Sequence, residues 1–399
     1  MQNHTFQMRH FSPGLLFISL CLFFLFNASV IYGQTPDSND RLENPRPDWY
    51  RDEYQNLNGQ WDFQFDPDDC GLQNKWYDGT HHFDQKIRVP FCWESKLSGI
   101  QNKEYLGTAW YQTEITVPAE WPDDRRLFIC FGAVDWKCTL WMNGIKIGDH
   151  TGGYSPFEWD ITDTIKQKAG NRLTLRVEDR AKASDSSYPA LIGKQGYDAS
   201  CGYSHTGGIW QTVRLEARES THLLSGKALP DAAKKSLAWN LKIRSEKSQA
   251  LQAEYSFEPK VYDLQSGKDQ SAGAGIHYST NLSVKAGTDT YSIPAAELEN
   301  PQLWDLDHPV LYYGTITLRT QSGQQLDQVH TYFGIRKIST GYYGDQKDVQ
   351  AVCLNGNPVY LSGVLDQGFW PDGIYTAPSE QAIRQDILNI KNDGFHYLR

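Results

Sequence analysis

The sequence predicts a mainly β chain, with two successive β-sandwiches followed by a βαβ unit that opens a parallel α/β sheet. Three observations carry this. Short runs between Trp61 and Leu318 alternate apolar with polar residues and are separated by turn residues. No long helical period interrupts them. Between Val352 and Arg399 the pattern changes to strand, amphipathic helix and strand.

The N-terminus has the form of a targeting segment. Arg9 supplies a positive start, Leu15 to Tyr32 is mostly apolar, and Gly33-Gln34 suits cleavage. Asn27 and Ser29 break the apolar run and no charge flanks its far side, which favours a signal peptide (1–33) over a membrane anchor. The expected location is periplasmic or secreted. Residues 34–48 form a polar, exposed lead-in ending in Pro45-Arg46-Pro47.

The first sandwich is expected over 49–218. Trp61 to Phe65 alternates as a half-buried strand, and Leu127 to Phe131 is apolar enough to be buried. Lys137 to Met142 and Ile145 to Ile147 flank Asn143-Gly144, a pair suited to a two-residue hairpin turn that needs positive φ twice. Leu173, Leu175 and Val177 alternate, as do Val213, Leu215 and Ala217. A second, immunoglobulin-like sandwich is expected over 219–339. Leu237, Trp239, Leu241 and Ile243 mark one strand; Tyr278, Thr280, Leu282 and Val284 another; Ile316 and Leu318 a third. Breaks are expected at 232–236 and 266–275.

The last segment, 340–399, is expected to begin the third domain. Val352 to Leu354 and Val359 to Leu361 flank Asn355-Gly356 as a hairpin, and Tyr360 to Leu365 continues as a strand. Ser379 is the expected N-cap of a helix carrying Ile383, Ile387 and Ile390 on one face, and Gly394 ends it. Phe395 to Arg399 resumes as a strand. A strand–helix–strand unit implies parallel strands joined by a right-handed crossover, which begins a doubly wound sheet or a closed barrel equally well. A barrel needs roughly 250 residues and eight such units. The 399 residues are therefore expected to be the front of a longer enzyme.

Composition narrows the partners. The net charge is −10 with no basic stripe, which argues against nucleic acid, and no membrane span is expected after signal cleavage. Aromatics reach 13 % with 13 Trp, which suits sandwich cores first and sugar stacking second. Of the seven Cys, six follow Cys21, with no staple-like spacing, and most are expected to be buried apolar side chains. The run from Asp66 to Gly71 starts like a calcium loop, but Tyr77 stands where a bidentate Glu is required. His81-His82 has no partner at metal-ligand spacing. No cofactor or metal is expected.

Several runs resemble glycoside hydrolase family 2, the β-galactosidases, β-mannosidases and β-glucuronidases. They are Asn56 to Phe63, Val89 to Ser95, Trp110 to Thr113, Trp141 to Gly144, Pro156 to Thr162, Gly207 to Val213, Asn300 to Trp304, Phe333 to Arg336 and Leu354 to Val359. The resemblance implies a jelly-roll-like β-sandwich, an immunoglobulin-like β-sandwich and the first βαβ unit of an incomplete TIM (β/α)8 barrel. It also implies hydrolysis of β-linked oligo- or polysaccharides by two glutamates, an acid/base and a nucleophile, on later barrel strands. Those strands lie beyond Arg399, so no catalytic residue is assigned and this chain alone is expected to be inactive. The family's β-galactosidases carry an Asn-Arg-His-Glu-like run after the first barrel strand, whereas this chain has Leu365 to Pro371.

Barrel sites lie at the C-terminal ends of the strands. Asp366, Gln367 and Arg399 are thus the substrate-binding candidates, with Trp370 as a sugar platform. The alternatives are that Asp366 caps its own loop, Arg399 is solvated and Trp370 packs over the rim. The polar, aromatic run from Asp198 to Thr206 is either a surface loop or, by resemblance, one that reaches toward the sugar. A non-enzymatic, lectin-like secreted protein is the competing function.

Overall fold

The structure, a computed structural model, describes residues 46–179, 203–263, 266–344 and 346–399. The expected signal peptide, most of the lead-in, Cys21, Cys201 and residues 198–202 lie outside them.

Alternation in the first half of the chain produces two facing antiparallel sheets. The larger runs in the order Gln85–Val89, Gly59–Asp66, Gly107–Thr116, Gly170–Asp179, Lys137–Met142, Ile145–Thr151. The smaller runs Phe157–Asp160, Arg126–Phe131, Val213–Arg218, Tyr54–Asn56. Trp61, Phe63, Tyr111 and Leu173 meet Ile129, Phe131 and Leu215 in one buried core between them. The hairpin turn at Asn143-Gly144 has φ of 53° and 83°, as its residue types require.

The second sandwich pairs Gln325–Phe333, Leu311–Thr320 and Gln249–Asp263 in one sheet, with Ile276–Val284 and Lys268–Ser271 also on Gln249–Asp263. The facing sheet is His222–Asp231, Ser236–Ser245, Gly287–Glu297. Trp49–Tyr50 joins this sandwich, pairing with Thr331 and His330, although it precedes the first one in sequence. Lys268–Ser271 forms within a segment expected to be a break. Its four residues are all exposed, so this edge strand has no apolar period to announce it.

The Val213–Arg218 strand departs from its alternating pattern, because all six of its residues are buried. Val213, Leu215 and Ala217 face the core; Arg214, Glu216 and Arg218 enter an ion network that reaches the second sandwich. Arg218 donates to both oxygens of Glu158 at 2.7 and 2.6 Å and, through Nε, to Glu216 at 2.9 Å. Arg51 grips Asp327 with two bonds of 2.8 Å and lies 3.5 Å from Glu216.

Two corrections concern the last segment. The hairpin forms, with Gln346–Leu354 against Asn357–Val359. The expected strand from Tyr360 to Leu365 shrinks to Gly363–Val364, paired in parallel with Tyr397–Leu398. The expected strand from Phe395 to Arg399 is likewise limited to Tyr397–Leu398. Tyr360 is 76 % exposed, and a bond from the Ser362 N–H to the Tyr360 carbonyl turns the chain before the parallel pairing starts. Gly363 permits that pairing, since a Cβ there would lie 2.4 Å from the Tyr397 carbonyl oxygen. The helix Glu380–Asn392 is capped by Ser379, whose Oγ accepts from the Ala382 N–H at 3.1 Å, and none of its residues is buried. Its apolar face is half open: Ile387 is 51 % exposed.

Trp370 to Ala377, by contrast, is tied to the first sandwich. The Thr376 hydroxyl bonds the carbonyls of Pro90 (3.0 Å) and Trp210 (2.5 Å), and the Leu97 N–H donates to the Asp372 carbonyl at 3.0 Å. Limited digestion with a protease of broad specificity is therefore expected to cut within the helix Glu380–Asn392 first, with residues 370–377 protected. Early cleavage inside 370–377, followed on a gel by mass spectrometry, would contradict this anchoring.

Candidate functional site

The loop after Gly363–Val364 meets the first sandwich along a line of aromatic rings. Tyr203 stacks on Phe369 at 4.8 Å and 15°, and its hydroxyl bonds the Gln367 side-chain oxygen. Phe369 lies 4.6 Å from Tyr375, and Tyr375 lies 5.3 Å from Trp210. Tyr154 closes the row at 6.1 Å from Trp210. Beside them runs a cleft of about 360 Å³ between the first sandwich and the helix, lined by Trp210, Asp366, Trp370, Tyr375, Ile383 and Asp386 among others.

Local backbone chemistry sets Trp210 in place. A Cβ on Gly207 would fall 2.1 Å from the Trp93 ring, and one on Gly208 (φ 90°) 2.0 Å from the Tyr111 hydroxyl. The two glycines let the chain pass over Trp93 and Tyr111, and the Trp210 indole N–H then donates to the Gly153 carbonyl at 2.8 Å.

Behind this wall lie three buried carboxyl groups, Glu94, Asp135 and Asp179. Both Glu94 oxygens accept from the Gly207 N–H, at 3.1 and 2.9 Å. Burial pushes the Glu94 carboxyl up to about 8; the Gly207 hydrogen bond opposes this and Asp135 adds to it. Asp179 is likewise pushed well up, first by burial and then by Asp135 and Glu94. The Tyr375 hydroxyl is raised by burial, eased by a bond to Tyr154 and raised further by Asp135.

The four sequence candidates fall into two situations. Gln367 bonds into the aromatic row through Tyr203, and Trp370, like Asp366, lines the cleft; the Trp370 backbone pairs with Ile374 at 2.8 and 3.0 Å, and its ring is half-buried. Asp366 is exposed, and its Oδ1 accepts from the Gly368 N–H at 2.7 Å, so it also caps its own loop. Arg399 is exposed at the neighbouring strand end, bonded through its backbone to Val364 and Asp366. Of the run from Asp198 to Thr206, the described part places Tyr203 against the barrel loop. Sequence reasoning singled out none of Tyr154, Trp210, Tyr375 and Glu94 as site residues. Trp210 and Glu94 sat inside runs used only as marks of resemblance.

No group of three or more His, Cys, Asp or Glu among the described residues is arranged to hold a metal. Asp66 instead accepts from the N–H groups of Cys70 (2.8 Å) and Gly71 (2.9 Å) and from Trp110 (3.0 Å). His81 stacks on Trp76 at 4.1 Å. Among the described residues Cys70, Cys92, Cys130, Cys138 and Cys353 are free thiols.

Comparison with known proteins adds the following. Residues 54–215 match the sugar binding domain of glycosyl hydrolases family 2, and residues 221–336 match a second domain of glycosyl hydrolases family 2. The chain is 26 % identical over 294 residues to a β-glucuronidase of Bacteroides fragilis, covering 70 % of this chain and 38 % of that one. It is 24 % identical over 286 residues to a β-galactosidase of Thermoanaerobacter pseudethanolicus, covering 69 % and 34 %. The crystal structure of Bacteroides uniformis β-glucuronidase superposes with a TM-score of 0.66 at 23 % identity, over 87 % of this chain and 39 % of that one, a likeness of fold. The chain thus spans little more than a third of the length of these relatives.

Proposed function

The chain belongs to family 2 of the glycosyl hydrolases, and on that premise we propose that it serves the hydrolysis of O-glycosyl bonds in β-linked glycans, with retention of configuration, outside the cytoplasm. The supporting observation is the row Tyr154, Trp210, Tyr375, Phe369 and Tyr203, which the first sandwich and the first barrel loop build together at a strand's C-terminal end. Flat rings and an amide such as Gln367 suit the apolar faces and hydroxyl edges of sugar rings. Gln367 and Trp370 contact the glycan in this reading, and Asp366 and Arg399 hold the loop and strand end that carry them.

Retaining hydrolysis needs two carboxyl groups about 5–5.5 Å apart across the anomeric carbon, one protonated and one ionised. Glu94, Asp135 and Asp179 are buried, each no more than 1 % exposed, so a sugar in the cleft does not reach them. We assign the reacting pair to further barrel strands, and the 399 residues alone to glycan positioning without turnover. The purified chain, assayed on a panel of aryl β-galactosides, β-glucuronides, β-mannosides and β-glucosides, is expected to release no aryl alcohol above the uncatalysed rate. Turnover that Asp366→Asn abolishes would overturn this assignment.

A further inference from the structure

The cleft beside the aromatic row has a charge as well as a shape. Trp210 and Trp370, both half-buried, give it flat walls, and Gln211 and Thr212 add an amide and a hydroxyl. The charged side chains of its described lining are two carboxylates, and they come from different elements. Asp366 follows the strand Gly363–Val364, and Asp386, half-buried, stands on the helix Glu380–Asn392. Asp366 uses Oδ1 for the Gly368 N–H at 2.7 Å, and its Oδ2 accepts no bond from a described residue. Nearby cations are turned to other partners. Arg384, two positions before Asp386, lies 5.0 Å over the Tyr262 ring and 4.0 Å from Glu380. Lys96 pairs with Asp372 at 3.3 Å, and Arg399 is exposed outside the lining. The chain's net charge of −10 has the same sign as the cleft.

We propose that this cleft selects a neutral hexose unit of a glycan against a uronic acid unit. This selectivity rests on the glycan reading above and sharpens it to a class of sugar. Carboxylate oxygens accept from the hydroxyls of a neutral sugar while a face of its ring lies on an indole, and such charge-assisted bonds are stronger than neutral ones. A uronic acid brings a third carboxylate into the same space. One like charge about 6 Å away through water-rich surroundings weakens binding about threefold, and two together about tenfold. Salt screens this repulsion, so the discrimination is largest at low ionic strength.

The test is a titration of the full chain at neutral pH and low salt, labelled with ¹⁵N at the tryptophan indoles. The ligands are methyl β-galactoside, methyl β-glucoside, methyl β-glucuronide and the amide of that glucuronide, which keeps its shape without its charge. Trp210→Phe and Trp370→Phe assign the two resonances of the cleft. Those resonances are expected to shift saturably with the amide and at least one neutral hexoside, and the glucuronide should bind roughly tenfold more weakly than its amide. In the double variant Asp366→Asn, Asp386→Asn the glucuronide should come within about threefold of the amide. Asparagine at 366 keeps an oxygen for the Gly368 N–H, so the loop is retained. Equal affinity for the glucuronide and its amide, or a gap that the double variant leaves unchanged, overturns the proposal alone. Saturable shifts that spare both resonances place the sugar elsewhere and also overturn it. No saturable shift with any ligand overturns the glycan reading and this proposal with it.

Discussion

Replacing Arg51 with alanine is expected to destabilise the fold by about 3–5 kcal/mol, the usual cost of removing one partner of a buried pair. Arg51 is 7 % exposed and Asp327 5 %, and the bidentate bond between them joins the segment before the first sandwich to the second. Arg51 also donates to the Leu223 carbonyl at 2.5 Å, and Asp327 accepts from the Leu223 N–H at 2.7 Å. Burial alone would raise the Asp327 carboxyl; Arg51 outweighs it and leaves the group below its usual range. The lowered carboxyl stabilises the fold above its unfolded-state value, and that contribution is lost as pH falls toward the folded value. Urea unfolding at neutral pH measures the effect. The double variant Arg51→Met, Asp327→Leu should regain most of the loss, because no charge is then left buried alone. A single-variant cost under about 1 kcal/mol would mean that water reaches Asp327 and the pair is not sealed.

Glu94→Gln is expected to remove a fall in stability between pH 4.5 and about 8. In the folded chain Glu94 keeps its proton up to about 8, whereas in the unfolded chain it releases it near 4.5. The folded state therefore binds more protons across that window. Its stabilisation is complete below 4.5 and drains away as pH rises through the window. Each pH unit in the window corresponds to about 1.4 kcal/mol. Glutamine keeps an oxygen for the Gly207 N–H and cannot ionise, so the variant's melting temperature should decline less steeply than the parent's, the remaining decline coming from the raised Asp179. Parallel profiles for the two proteins would place the proton elsewhere in the group with Asp135 and Asp179.

Most of the architecture was legible in the residues. Alternation gave the strands, Asn-Gly pairs gave two hairpins whose φ values are those expected, and Ser379 and Gly394 bounded the only α-helix among the described residues. Alternation failed where a strand buries both faces. Arg214, Glu216 and Arg218 read as solvent-facing because Glu158, which pairs with Arg218, and Arg51, which reaches Glu216, lie far away along the chain. The site was less legible. Gln367 and Trp370 follow from the rule that barrels work at strand ends, but Tyr154, Trp210 and Tyr375 come together only after folding. Glu94 gives no sign in sequence of being protonated, since its perturbation comes from what covers it.

The strand Val213–Arg218 leaves drift nowhere to act. On an ordinary half-exposed strand every second position tolerates change, and a lineage can wander through those positions at little cost. Here an apolar substitution strands a charge, a charged one splits a core, and no residue of the six is a neutral address. Sequence divergence among chains that keep this architecture should thus pass around this strand and accumulate in the loops on either side.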